Sequence, residues 1–350
     1  MVFGFKVNKS GAGHEADCGI FYSFAYRFTK KRRKSFSMPR ISVIIPCYYN
    51  EANIPVTSRA LIENEALFPE DVEFEYVMVD DGSGDGTVSA LLEFEAAYPG
   101  KVKVIKLVSN VGSYNAIVAG MEHASGDCNV VITADLQDPP ALMRKMYDYW
   151  CKGLKLVIAN RQERKEGFFK SLFASSFHWL MKRFALSRLP EGGFDYVLFD
   201  KMVREEVVKM KEKNTNSLFL MIWMGFDFVS IPYTREERKI GKSRWTMKKK
   251  LKLFVDSFVS FSFFPIRAIT TLGFLLGIAA LLYGVFVVIA RFSGLIDAQG
   301  WSSLMLVLLF VSSFQMISMG ILGEYLWRTL DAGRNRPNYL VEKVYFSPKP

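Results

Sequence analysis

The sequence predicts an α/β domain with a mostly parallel sheet, then an interfacial amphipathic helix and two membrane-crossing helices. Three observations predict it. Short apolar runs alternate with helical patterns from residue 41 onward. Polar residues collect just after those runs. Two long stretches, 268–290 and 301–323, contain no charged residue.

The apolar runs at 42–46, 74–79, 102–107, 128–133 and 156–159 read as strands. Helical periodicity fills the gaps at about 54–68, 87–97, 113–124 and 140–152. Strand–helix alternation implies right-handed crossovers and a sheet covered on both faces. Ligands of such sheets bind beyond the carboxyl ends of the strands. There the chain places Asn50 and Glu51, then Asp80 and Asp81, then Asp135, Gln137 and Asp138. Residues 168–184 carry an apolar stripe of Phe169, Leu172, Phe173, Phe177, Leu180, Met181 and Phe184. Core packing is the default for such a stripe and an interfacial surface the rival. In 248–264, Leu251, Phe254, Val255 and Phe258 oppose a lysine-rich face, which suits a membrane surface.

Half of the 350 residues are hydrophobic. At about 1.5 Å per residue, each uncharged stretch makes a helix of roughly 34 Å, enough for a hydrocarbon core of about 30 Å. The net charge of +10 has a matching distribution. Basic residues cluster at 238–252 and recur at Arg328, Arg334 and Arg336, whereas the loop 291–300 holds one Arg and one Asp. The positive-inside rule puts both long ends in the cytoplasm, in a multi-pass protein of the cytoplasmic (inner) membrane. No nucleic-acid motif accompanies the basic residues, so the expected partners are the lipid bilayer and phosphates. Cys18, Cys47, Cys128 and Cys151 show no paired spacing, which argues against a disulfide framework or zinc site. The organisation expected is a mobile basic extension (1–37), a cytoplasmic catalytic domain (38–246), an interfacial helix (247–265), a transmembrane hairpin (266–327) and a cytoplasmic tail (328–350). A homo-oligomer is the expected assembly.

Asp80 and Asp81 leave an apolar strand and precede Gly82–Ser83–Gly84–Asp85–Gly86–Thr87. The glycines permit a tight turn, and Asp85 or Thr87 can cap the next helix. A structural loop explains the glycines but not two adjacent carboxylates. The Gly-Lys-Ser/Thr of an ATP-hydrolysing loop is missing. Asp135, Gln137 and Asp138 offer hard oxygens suited to Mg²⁺ or Mn²⁺, ions that share their coordination with substrate phosphates.

The segments IPCYYNEANI, VDDGSGDGT, NVGSYNAIVAG, ADLQDPP, GGFDYVLF and RKIGKSRW, followed by a tail ending in GILGEYLWR, carry a resemblance. From about residue 41 to 343 the chain resembles the membrane-anchored polyprenyl-phosphate glycosyltransferases of glycosyltransferase family 2. Dolichol-phosphate mannose synthases and bacterial undecaprenyl-phosphate glucosyltransferases belong to that group. The resemblance implies a GT-A nucleotide-sugar-binding fold. Pro46, Tyr48, Asn50, Glu51 and Asp80 or Asp81 then line the base and ribose pocket, and Asp135 and Gln137 hold the divalent ion. Arg238, Ser243 and Arg244 close over the phosphates. Arg161 and Arg164 receive the lipid phosphate, and Asp195 stands near the reacting centre.

Two departures from the family pattern matter. Thr133–Ala134–Asp135 replaces Asp-x-Asp, and Pro46–Cys47–Tyr48–Tyr49–Asn50–Glu51 extends P-x-Y-N-E, so either tyrosine can meet the base. The activity expected is inverting transfer of a sugar, with UDP-glucose first, to undecaprenyl or dolichyl phosphate, supplying sugar for the cell envelope. A processive polysaccharide synthase fits less well, because Gln-x-x-Arg-Trp is absent and two spans form no pore. A non-catalytic nucleotide-sugar binder conflicts with the intact Asp135, Gln137 and Arg238.

Overall fold

The computed structural model describes residues 38–162, 168–236, 238, 240, 247–293 and 300–348. The expected basic extension therefore lies outside the described residues. The sheet has eight strands among those described: Arg40–Cys47 (β1), Glu73–Asp80 (β2), Val102–Leu107 (β3), Cys128–Val131 (β4), Leu156–Gln162 (β5), Tyr196–Asp200 (β6), Phe228–Thr234 (β7) and Val341–Tyr345 (β8). Their order is β7-β5-β6-β4-β1-β2-β3-β8.

β1 is parallel to both β2 and β4, and β2 to β3. β5 and β7 form a second parallel pair. The sheet is thus mostly parallel, with one departure from simple alternation. β6 lies between β4 and β5 and runs antiparallel to both. The expected strands end with 156–159, so the reversed β6 at Tyr196–Asp200 is not among them, and a short apolar run reads the same in either direction. β8 pairs antiparallel with β3, so the expected tail includes an edge strand of the sheet.

Helices Ile54–Glu65 (α1), Thr87–Ala97 (α2) and Leu142–Cys151 (α4) cover one face, where Ile54, Leu61, Leu91, Phe94, Met143 and Met146 bury against Val43, Ile45, Tyr76 and Met78. Ser113–His123 (α3), Lys201–Lys209 (α6) and Ser217–Trp223 (α7) cover the other, over Ile44, Val77, Val79 and Ile105. Strands buried on both faces must be apolar nearly throughout, which is why β1 and β2 read as continuous runs.

Phe168–Phe184 (α5) is helical as expected. Met181 is buried, Phe177 packs on the second core, and Trp179 is exposed. Met247–Phe261 (α8) then leads into Phe264–Phe292 (α9) and Trp301–Gly333 (α10). Within these, Phe264–Val287 (24 residues) and Val307–Gly333 (27 residues) are long and apolar enough to cross a membrane. Their large side chains, such as Phe274, Leu281, Phe310 and Ile317, are exposed, as lipid-facing residues must be. Arg328 near the end of α10 ties the hairpin down. It pairs with Asp256 of α8 at 2.7 Å and Glu324 at 2.9 Å, and donates to the Asn214 carbonyl at 3.1 Å.

Candidate active site

The site assembles where the chain leaves β1, β2, β4, β5 and β7 at one edge of the sheet. After β1, the backbone N–H of Tyr48 donates to Asn50 Oδ1 (2.8 Å), and that of Asn50 to Thr87 Oγ1 (2.8 Å). These bonds fasten Pro46–Glu51 to the start of α2. Glu51 accepts the Gly86 N–H at 3.0 Å, and a Cβ on Gly86 would sit 2.5 Å from that carboxylate. Glycine is what lets the two loops approach. Tyr49 has a φ of 56°, and its ring meets that of Tyr48 edge to face with centroids 4.7 Å apart.

The two aspartates after β2 differ sharply. Asp81 accepts the backbone N–H groups of Val111 (2.7 Å) and Gly112 (3.1 Å) and the Asn110 amide (2.9 Å). It pins the loop that opens α3. Asp80 is also fully buried, yet among the described residues its oxygens receive the Ser83 N–H at a long 3.3 Å. Burial pushes its pKa up against the opposing Ser83 bonds. Of the pair, Asp80 has donors from Ser83 alone among the described residues, N–H and hydroxyl, where Asp81 has three donor residues. Asp85 accepts both the Thr87 N–H (3.2 Å) and its hydroxyl (2.6 Å) from outside the helix; the N-cap position itself is Gly86, so the side-chain cap expected of Asp85 or Thr87 is not made.

After β4, Thr57 of α1 donates to the Ala134 carbonyl at 2.8 Å, and Leu136 takes a φ of 52°. A non-glycine residue there costs about 1–2 kcal/mol, a strain held by the surrounding loop. Asp135 Oδ1 accepts the Thr133 hydroxyl at 2.8 Å and the Gln137 N–H at 3.3 Å, while Oδ2 pairs with Arg238 at 2.7 Å. Asp138 is wholly buried between Tyr233, Thr133 and Arg235. Gln137 and Glu236 are joined twice, by Glu236 N–H to the Gln137 carbonyl (2.9 Å) and by Gln137 Nε2 to the Glu236 carbonyl (3.3 Å).

The reversed strand has a direct consequence. Because β6 runs antiparallel, its amino end lies at the carboxyl edge of its neighbours, and Asp195 immediately precedes it. Asp195 forms an ion pair with Arg161 of β5. The structure therefore joins the residues expected to serve acceptor and reacting centre, just as it joins Asp135 and Arg238. Arg164, Ser243 and Arg244 lie outside the described residues. Tyr233, unforeseen in the sequence, is the register partner of Arg161. Burial and Asp138 push its hydroxyl well above the ordinary range, with Arg161 acting in the opposite sense. Only strand alternation in IPYT could have flagged it, and that marks a core position as readily as a functional one.

Among the described residues no group of three His, Cys, Asp or Glu side chains could hold a metal ion. Two oxygen ligands such as Asp135 and Gln137 would suit only a hard cation that takes few protein ligands and completes its shell with phosphate and water, and Asp135 Oδ2 is held by Arg238.

A mixed sheet of this order, with acidic loops gathered at one edge, defines a GT-A-like domain. The family model for glycosyl transferase family 2 matches residues 42–209. The Bacillus subtilis (strain 168) glycosyltransferase YkcC is 35% identical over 87% of this chain and 94% of its own length. A prophage-derived bactoprenol glucosyl transferase of Shigella flexneri is 31% identical over 87% of this chain and 98% of its own. Among solved structures, a mannosyltransferase of Pyrobaculum calidifontis in complex with GDP-Man and Mn²⁺ covers 61% of this chain and 63% of its own, at 19% identity and a TM-score of 0.40. The chain belongs to glycosyl transferase family 2.

Proposed function

We propose that this protein transfers a sugar, glucose from UDP-glucose in the first instance, to a polyprenyl phosphate at the cytoplasmic face of a membrane. The observation that carries this reading is the meeting of two carboxylate–arginine pairs on one sheet edge, Asp135 with Arg238 and Asp195 with Arg161. The same chain bears two membrane-length helices. The relatives named as bactoprenol glucosyl transferases support the acceptor and the sugar.

In this reading Pro46, Tyr48, Asn50, Glu51 and Asp80 hold the nucleoside, while Asp81 fixes the loop beside it. Asp135 and Gln137 hold Mg²⁺ or Mn²⁺, which supplies positive charge to the diphosphate when bound. Arg238 moves its guanidinium from Asp135 to that diphosphate, with Ser243 and Arg244 following in the same segment. Arg161 receives the acceptor phosphate, Arg164 assists, and Asp195 holds Arg161 in place.

The acceptor is a phosphate monoester with a second pKa of about 6, so its oxygen is already a charged nucleophile at neutral pH. A strong general base is unnecessary. The oxygen forms a bond to the anomeric carbon as the bond to the diphosphate breaks, and the electron pair leaves with the nucleoside diphosphate. Direct displacement inverts the anomeric centre. The protein's task is positioning two anions and offsetting their charge, which arginines do with paired donors.

The test is transfer of radiolabelled glucose from UDP-glucose to undecaprenyl phosphate by the detergent-solubilised full chain. Label extracted into organic solvent and lost in Asp135→Asn supports the proposal. Label in polymer, or none in lipid with UDP-glucose, GDP-mannose or UDP-N-acetylhexosamines, overturns it.

A further inference from the structure

Asp138, expected with Asp135 and Gln137 as an accessible oxygen ligand, is instead wholly buried, at 0% exposure beside the other acidic loops. Burying such a charge costs several kcal/mol unless it is paired and hydrogen-bonded. Its Oδ1 accepts the Tyr233 hydroxyl and stands 3.6 Å from Arg235 Nε; its Oδ2 accepts the Thr133 hydroxyl at 2.8 Å. The same Thr133 oxygen is 2.8 Å from Asp135 Oδ1. A continuous polar path thus runs from Tyr233 through Asp138 and Thr133 to Asp135. Tyr233 stands beside Arg161, itself paired with Asp195. The path links the two halves of the site.

We propose that Thr133, Asp138 and Tyr233 are positioning residues, which fix the Asp135 carboxylate for a donor-bound cation and hold Arg235 and Arg238 on the same site. The inference rests on the glycosyltransfer reading above and adds to it the reason for threonine at 133. A threonine hydroxyl carries one proton and two lone pairs. Set between two carboxylates, it donates to Oδ1 of Asp135 or to Oδ2 of Asp138. With the Gln137 N–H it locks one Asp135 oxygen and leaves Oδ2 as the face that Arg238 occupies. Asp138 anchors the opposite side, because Tyr233 lies one residue before the end of β7 and two before Arg235. The paired bonds between Gln137 and Glu236 then hold the two loops together. A third carboxylate at 133 would supply a ligand but no donor, and whichever aspartate accepts the Thr133 hydroxyl would lose that bond.

The experiment measures Mn²⁺ binding to the full chain in detergent, by electron paramagnetic resonance, with uridine diphosphate and separately with guanosine diphosphate. Asp135→Asn, Thr133→Val, Thr133→Ser and Tyr233→Phe are compared with the parent protein, and each melting temperature is recorded. Thr133→Val removes the hydroxyl at constant shape, and Thr133→Ser restores it. Loss of residues that orient a metal ligand weakens metal binding roughly ten- to a hundredfold. That loss is expected for Thr133→Val and Tyr233→Phe, with Thr133→Ser near the parent and the KM for Mn²⁺ rising more than kcat falls. Parent-like Mn²⁺ affinity in both Thr133→Val and Tyr233→Phe, alongside weakened Asp135→Asn, overturns this inference and leaves the proposed function standing. Parent-like affinity in Asp135→Asn as well removes the metal assignment of the proposed function. A fall in melting temperature with unchanged affinity shows a purely structural role and also overturns the inference.

Discussion

The two ends of β2 carry buried carboxylates with opposite fates. Near the amino end, Glu75 accepts the Ser42 hydroxyl at 2.5 Å, the Ser125 N–H at 2.8 Å and Lys103 at 3.1 Å. Burial alone would raise its pKa, but these donors together bring it below the usual value. At the carboxyl end, Asp80 is also buried, is met by the Ser83 N–H at 3.3 Å and by the Ser83 hydroxyl, and still has its pKa pushed up by burial. The strand and the core are shared, and the shifts have opposite sign. At the amino edge Glu75 has its charge satisfied for stability, and at the carboxyl edge Asp80 has fewer donors than its burial calls for, as a ligand residue does.

The widest separation of these roles is expected at Asp135. Asp135→Asn should lower kcat on the order of 10²–10³-fold, the scale of losing one preorganised electrostatic group, while the melting temperature barely moves. A large drop in melting temperature with activity retained would place Asp135 with Glu75 instead. Arg238→Lys keeps the charge but loses the planar fork, so turnover should fall about tenfold while membrane pelleting is unchanged. Matching losses in Lys249→Gln would reduce the segment to an electrostatic tether.

Asp81 is the exception that sharpens the contrast, a structural carboxylate at the functional edge. Asp81→Ala leaves the half-buried Val111 and Gly112 N–H groups without their acceptor, which should cost about 1–2 kcal/mol of stability. Urea unfolding with an unshifted midpoint would return Asp81 to the list of ligand residues.

The sequence made the sheet edge visible because its polar residues interrupt apolar runs. Strands β1 to β4 and helices α1 to α4 appear close to their expected bounds. What stayed hidden depends on partners distant in the chain. The direction of β6 is set by pairing Asp200 with Cys128 and Tyr196 with Ala159, and no local pattern encodes that. β8 adds its edge to β3 across the whole length of the membrane hairpin. Asp80 and Asp81 are indistinguishable as letters, since only the arrival of Asn110–Gly112 decides which is occupied. Thr133 looked like a missing ligand, and its hydroxyl instead bridges two carboxylates.

The smallest expected effect is the most direct test of the contrast, because both variants lie on β2 and should move stability in opposite directions. Glu75 has a depressed pKa in the folded chain. Its stabilisation is fully present above the unfolded value of about 4.3 and is lost as pH falls through the folded one. Glu75→Gln should therefore cost about 1–2 kcal/mol at neutral pH, as charge-assisted bonds weaken, and progressively less in acid. Asp80 has a raised pKa, so its ionised form opposes folding. That penalty is absent below the unfolded value of about 3.9, grows as pH rises, and is complete above the folded value. Asp80→Asn keeps an oxygen for the Ser83 N–H and removes the buried charge. It should stabilise the neutral protein by about 0.5–2 kcal/mol and lose that advantage toward pH 4, while nucleotide binding declines. Melting curves of the full chain in detergent between about pH 4 and 8 give both slopes in one series. Shifts of the same sign would mean that the carboxyl edge is as well satisfied as the amino edge, and Asp80 would no longer be the residue set aside for a ligand.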